Sequence, residues 1–273
     1  MPDTVKPVRI PELLEMKRRG RKITMLTAYD ATMARLLDRA EIDMLLVGDS
    51  LGMVIQGHDS TIPVTMDAMI HHTKAVRNGT RRALVVADMP FLSYQVSRRS
   101  AVRNAGKLIQ EGGAAAVKLE GGNAVASVLH RIVETGIPVM GHLGLTPQSV
   151  HRIGGFRAVG KTRDEAKTLM ADARLLEQAG AFAVVLEAIP AEVAADITAD
   201  LKIPTIGIGA GPHCDGQVLV SYDAFGLFDE FVPRFVKRYC NLGEQMVEGA
   251  RAYAQDVQEG RFPAKEHCVP ALV

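Results

Sequence analysis

The stretch ALVVADMPFLSYQVSRRSAVRNAGKLIQEGGAAAVKLEGG, residues 83–122, decides the fold. It opens with ALVVADM (83–89), an apolar run lacking the polar alternation of a half-exposed strand, and closes with a second such run in AAVKLEGG (115–122). Between them, SRRSAVRNAGKLIQEGG (97–113) has the spacing of an amphipathic helix. Strands that are apolar throughout suit a parallel sheet covered on both faces. The unit is therefore strand, helix, strand.

The same alternation extends in both directions. Apolar runs recur at 23–28, 44–49, 138–144, 181–188, 204–211 and, less distinctly, 216–226. Helical patterns separate them at DATMARLLDRAE, TMDAMIHHTKAVRNG, NAVASVLHRIVETG, TRDEAKTLMADARLLEQAG and PAEVAADITADL. Thr162 and Glu165 form a capping-box pattern at the start of the fourth of these, and Pro190 stands near the first turn of the last. Eight strands in a chain of 273 residues favour a closed (β/α)8 TIM barrel, an α/β fold in one domain. An extra helix is expected at about 10–20 and terminal helices at about 229–260. The eighth strand is the weak point, because the gap after GIGAG (207–211) is too short for a crossover helix.

Composition excludes several function classes. A formal net charge of +1 with no Trp gives neither the basic patch nor the stacking platform of a nucleic-acid binder. MPDTVKPVRI has no apolar segment behind its charges and no later run is long enough to span a bilayer, so the expectation is a cytoplasmic protein. Cys214, Cys240 and Cys268 are too scattered for a metal or redox motif.

Four strands end in an acid: Asp49, Asp88, Glu120 and Glu187. A barrel gathers the C-terminal ends of its strands at one mouth, where these carboxylates would converge. Their repulsion calls for a cation, and all-oxygen ligands point to Mg²⁺ or a similar hard metal. That would also offset the cost of burying Asp49 behind the apolar run MLLV (44–47), with Ser50 beside it as donor to a ligand oxygen. Glu187, framed by AFAVVL and Ala188–Ile189, reads instead as a general base raised by apolar surroundings. In β-strand alternation Lys118 shares a face with Glu120, either as its salt-bridge partner or as a cation for a substrate carboxylate or developing enolate. His142 in GHLGLTPQS stands at a strand end as a contact for substrate or for the residues that bind it, whereas His71 and His72 fall inside a helical pattern. GIGAG is compatible with a phosphate cradle or with simple close packing.

VGDSLGMVIQGHDSTIPVT, ADMPF, VKLEGG, GHLGLTPQS, VLEAIP, IGIGAG, DGQVLV and DAFG, in this order between about residues 5 and 240, together resemble the ketopantoate hydroxymethyltransferase family. The resemblance implies a β/α barrel assembled as a homodecamer of two pentameric rings. It also implies transfer of a hydroxymethyl group from 5,10-methylenetetrahydrofolate to 3-methyl-2-oxobutanoate, giving 2-dehydropantoate for pantothenate and coenzyme A synthesis. By motif it places one Mg²⁺ per subunit on Asp49, Asp88 and Glu120, the last directly or through water. Asp49, Ser50, Asp88 and Lys118 would border the keto acid, and Glu187 would accept the proton.

Two rival readings are a carbon–carbon lyase or mutase of the phosphoenolpyruvate mutase and isocitrate lyase type, and a non-catalytic sensor of keto acids or folates. The first wants a reactive cysteine on an active-site loop, and no cysteine lies on the loops after Asp88, Glu120 or Glu187. The second leaves a poised base at Glu187 without a purpose.

Overall fold

A computed structural model of the chain describes residues 6–155, 157–229 and 232–269. It divides into two compact units, Met1–Val220 and Ser221–Val273. The first holds eight parallel strands, β1 (Ile23–Thr27), β2 (Met44–Val47), β3 (Leu84–Asp88), β4 (Ala116–Glu120), β5 (Val139–Gly144), β6 (Ala183–Glu187), β7 (Thr205–Ile208) and β8 (Gly216–Leu219). They close in sequence order into a barrel. Followed once around, the pairings return to β1 displaced by eight residues, the stagger of a TIM barrel.

The helices of this unit are α1 (Ile10–Arg18), α2 (Ala31–Arg39), α3 (Leu51–Val54), α4 (Met66–Gly79), α5 (Arg98–Gln110), α6 (Asn123–Val133), α7 (Val150–Ile153), α8 (Arg163–Gln178) and α9 (Ala191–Asp200). Their starts follow from side-chain caps. Asp30 accepts the amides of Thr32 and Met33, and Thr65, Ser97 and Thr162 cap α4, α5 and α8 in the same way, each worth about 1 kcal/mol. The Thr162–Glu165 capping box expected from sequence is formed on both sides. Between β7 and β8 there is no helix, as the spacing required; instead Asp215 ties the turn down by accepting from Thr205 N (2.9 Å) and pairing with Lys17 Nζ (2.7 Å).

Alternate residues of each strand fill the barrel. Met25, Met44, Leu46, Leu84, Val86, Ala116, Met140, Val185 and Ile206 form one apolar cluster. Continuing the same alternation towards the C-terminal ends, the next inward positions are Asp88, Lys118, Glu120, His142 and Glu187. On these four strands, β3 to β6, the apolar interior thus gives way to titratable side chains within one step.

The second unit contains α10 (Ser221–Ala224) and α11 (Leu242–Gln258). Here the sequence expectation is corrected. Of the helical stretch placed at 229–260, residues 230 and 231 lie outside the described residues, and the described part before Leu242 is irregular. Pro233 disfavours helical backbone at the residue before it, and the helix begins only after Asn241.

Candidate active site

The four acids do converge on the barrel mouth. Asp49, in the turn after β2, and Asp88, at the end of β3, are tied directly: Asp88 Oδ2 accepts the Asp49 amide at 3.1 Å. Gly48 makes room for the Ser50 hydroxyl, since a Cβ there would come within 2.7 Å of Ser50 Oγ. Ser50 is half-buried on the same turn, its hydroxyl 2.9 Å from that of Tyr29. Of the polar residues 58–61, His58 and Asp59 face solvent and Thr61 is buried with no hydrogen-bond partner for its hydroxyl.

Lys118 is buried and its ammonium lies 3.0 Å from Asp88 Oδ1, so the ion pair forms with Asp88 rather than with Glu120 as one sequence reading had it. Adjacent register on β3 and β4 explains the choice, because Asp88 pairs with Lys118 across the strands. The contact is close but lacks hydrogen-bond alignment at Asp88 Oδ1. Burial alone would lower the Lys118 pKa, yet the charges of Asp88, Glu120 and Asp49 outweigh it and hold the ammonium charged.

Glu187 is not enclosed by apolar groups as expected. His142 on the neighbouring strand β5 places Nε2 3.1 Å from Glu187 Oε2, an ion-pair distance without hydrogen-bond alignment, and Nδ1 3.5 Å from Glu120 Oε1 and 3.3 Å from Lys118 Nζ. Burial and Lys118 both work against a charged imidazole, whereas the nearby Glu120 and Glu187 carboxylates favour it and raise its pKa. The ring thus lies between two carboxylates.

Two buried residues that sequence reasoning missed organise the cluster. Gln148, in the turn after β5, donates its side-chain amide to Asp49 Oδ2 (2.8 Å) and the Met89 carbonyl (2.9 Å), and its backbone amide to Glu120 Oε2 (3.0 Å). Tyr94 holds Gln148 in turn. Its hydroxyl accepts the Glu120 amide and has Gln148 Oε1 at 2.8 Å and the Glu120 carbonyl at 3.1 Å as acceptors for its proton. Burial and the nearby carboxylates keep the phenol protonated. Gln148 lies within the quoted GHLGLTPQS block, but a loop amide has no periodicity to mark it; Tyr94 likewise sits in irregular chain.

The donor set suits a hard cation. Burial, followed by the charges of Asp88 and Glu120, pushes Asp49 well above the carboxylate range, and burial raises Asp88 despite Lys118. A cation between the two aspartates would remove both penalties. Glu120 has its oxygens engaged by Gln148 and His142, and among the described residues no three His, Cys, Asp or Glu side chains form a ready cage. This fits Mg²⁺, which needs only one or two protein carboxylates and completes its shell with water and substrate oxygens.

A cavity of about 770 Å³ opens beside Glu120, Gln148 and Gly144 and runs between the start of α6 and the face of α8. GIGAG does not line it; Gly211 is required where the turn packs on Ala191. No helix among the described residues is long and apolar enough to cross a membrane.

A family model for ketopantoate hydroxymethyltransferase matches residues 7–265. The 3-methyl-2-oxobutanoate hydroxymethyltransferase of Moorella thermoacetica is 60% identical over 260 residues, 95% of this chain and 97% of that protein. The enzyme of the same name from Pelobacter propionicus is 54% identical over 267 residues, 98% of this chain and 99% of that one. Among solved structures, 2,3-dimethylmalate lyase, of the PEP mutase/isocitrate lyase superfamily, aligns with a TM-score of 0.59 at 15% identity, over 96% of this chain and 92% of that one. Phosphonopyruvate hydrolase in complex with oxalate and Mg²⁺ aligns at 0.60 and 13%, with the same coverage. At such identities the likeness is one of fold. The close relatives and the full-length family match go further: the chain belongs to the ketopantoate hydroxymethyltransferase family, enzymes that transfer a hydroxymethyl group.

Proposed function

We propose that this enzyme uses Mg²⁺ and Glu187 to activate 3-methyl-2-oxobutanoate at C3 and joins that carbon to the one-carbon unit of 5,10-methylenetetrahydrofolate, giving 2-dehydropantoate. The observation that supports this is the contact of Glu187 with the buried imidazole of His142, beside a separate acidic pair, Asp49 and Asp88. One carboxylate thus stands apart for proton transfer while two others suit a metal.

Asp49 and Asp88 would hold the cation, with Glu120 at its edge through water. When bound, Mg²⁺ draws electron density from the substrate's 2-oxo group and so acidifies C3. Lys118 offers a fixed positive charge to the substrate carboxylate and to the negative charge that develops on the keto oxygen, in a site where such charge is poorly screened. The Ser50 hydroxyl is placed to donate to a substrate oxygen. Glu187 removes the C3 proton, and His142 holds the carboxylate oriented for it. C3 then bonds to the folate methylene carbon as one of its two carbon–nitrogen bonds breaks, water supplies the hydroxyl oxygen as the second breaks, and the C3 proton and one water proton end on the two folate nitrogens. The homodecamer implied by the resemblance and the cytoplasmic setting expected from the sequence belong to the same proposal.

The test follows the C3–H proton NMR signal of 3-methyl-2-oxobutanoate in D₂O with Mg²⁺ and a folate analogue. Exchange that needs both the metal and Glu187, and slows about 10²- to 10⁴-fold in Glu187→Gln, is expected. Unchanged exchange in Glu187→Gln would remove Glu187 as the base.

A further inference from the structure

The acidic cluster accounts for a five-carbon keto acid and leaves the 770 Å³ cavity beside it unused. That volume falls in the range for a ligand of drug size. Its inner end is lined by Glu120 and by Gly144, the register partner of Glu187 on β5, so a molecule filling it would reach the reacting carbon. The lining is mostly apolar. Gly121 and Gly122 present bare backbone, and Val125 of α6 and Leu169 of α8 add apolar side chains to it.

At the outer end stands Asp172 of α8, half-buried. Its Oδ1 accepts the Asn123 amide at 2.9 Å, capping α6, and Oδ2 has no hydrogen-bond partner among the described residues. Gly122 lies directly beneath it, and a Cβ there would displace this carboxylate. The other acids of the lining are differently placed: Asp164 and Glu165 are exposed, and Glu165 is committed to the Thr162 amide. A partly desolvated carboxylate at the end of a mostly apolar slot suits a planar heterocycle with two parallel N–H donors, which it can accept together. The exposed cations Arg152 and His151 at the rim suit an acidic tail on the same ligand.

We propose that this cavity is the site of the one-carbon donor, with the cyclic guanidine edge of the reduced pterin paired to Asp172, its ring system against Val125 and Leu169, and its glutamate tail at Arg152. The inference rests on the folate reading given above.

The experiment is calorimetric binding of tetrahydrofolate to the full-length protein with Mg²⁺, with the Kd of 3-methyl-2-oxobutanoate measured on the same samples. Asp172→Asn keeps the cap on Asn123 but turns an acceptor oxygen into a donor. Thr168→Trp, on the exposed face of α8, puts bulk into the cavity mouth and does not touch the core. Both are expected to weaken tetrahydrofolate about tenfold or more while the keto acid Kd stays within about twofold. Parent-like tetrahydrofolate binding by both variants would overturn the site. Weakening by Thr168→Trp alone would overturn the Asp172 pairing. A parent protein that exchanges the C3 proton but binds no tetrahydrofolate would overturn the folate reading itself, and the site with it.

Discussion

His142 Nε2 lies 3.1 Å from Glu187 Oε2, across the β5–β6 pair, while its other ring nitrogen faces Glu120. The imidazole therefore joins the proposed base to the proposed metal end of the site. It fixes the direction in which Glu187 presents its free oxygen, and a carboxylate displaced by an ångström from the C3 proton loses about 10²-fold in rate. His142→Gln should slow C3–H exchange by about that factor with little change in keto acid affinity. The contrasting result, a raised dissociation constant with an unchanged exchange rate at saturation, would make His142 a substrate contact instead.

Asp49 carries the second prediction. Its folded-state pKa is raised well above the ordinary value of 3.8, first by burial and then by Asp88 and Glu120. A raised carboxylate contributes most stability when protonated and loses it as the pH climbs through its folded pKa, so at neutral pH with a chelator present its charge weighs against the fold. Asp49→Asn should therefore raise the Tm in EDTA, and abolish the further rise that Mg²⁺ gives the parent. A variant that still gains from Mg²⁺ as the parent does would take Asp49 out of the metal site.

Gln148 is buried, at 6% exposure, and its side-chain amide and backbone N–H are engaged in hydrogen bonds. Gln148→Ala would leave Asp49 Oδ2, the Met89 carbonyl and the Tyr94 hydroxyl without this partner, at about 1–3 kcal/mol for each buried group left unmet. We expect a loss of about 3 kcal/mol in urea denaturation, against about 1 kcal/mol for Tyr94→Phe, which removes a hydroxyl while keeping the ring. Equal losses would mean that Tyr94, not Gln148, is the keystone.

These residues also mark how far the sequence could be read. Strands were legible because parallel strands buried on both faces lack polar positions, and their terminal acids stood out against that background. What could not be read was adjacency across strands: nothing within VVLEAIP says that His142 will lie against Glu187, or within KLEGG that Lys118 will choose Asp88 over Glu120. Barrel register settles both. Gln148 and Tyr94 were missed for a different reason, since irregular loops have no period and a buried amide or phenol resembles any other until the hydrogen bonds are known. In the second unit, Pro233 was a visible signal that the helical reading overlooked.

Asp223, in α10, gives a pH test within the second unit. Burial lifts its carboxyl from 3.8 to about 6, against a lowering pull from Arg238. The folded chain holds this proton more tightly than the unfolded one, so its stabilisation is complete below about pH 4 and lost as the pH rises through about 6. Asp223→Asn should match the parent Tm at pH 4 and exceed it at pH 7. An equal difference at both values would show that the carboxyl does not titrate in this window.

The last prediction concerns why β5 ends in glycine. Gly144 has φ +94 and pairs with Glu187, and a Cβ there would overlap the Glu187 carbonyl oxygen, which also accepts the Leu145 amide at 2.9 Å. Just beyond, Ala188 adopts φ +49, a left-handed conformation that costs a non-glycine residue of order 1 kcal/mol and is held by the packing around it. The base thus hangs from backbone that a neighbouring side chain would push aside. Gly136 provides the comparison, with a similar φ of +85 but nothing within 4 Å of a Cβ. Gly136→Ala should lose only the conformational part, about 1 kcal/mol, whereas Gly144→Ala adds the collision and should lose about 3 kcal/mol or more. In whatever fraction of Gly144→Ala remains folded, C3–H exchange per folded molecule should fall as well, because relieving the overlap displaces Glu187. Equal stability losses at the two positions would mean that positive φ alone, and not the approach of β6 to β5, demands glycine at the mouth.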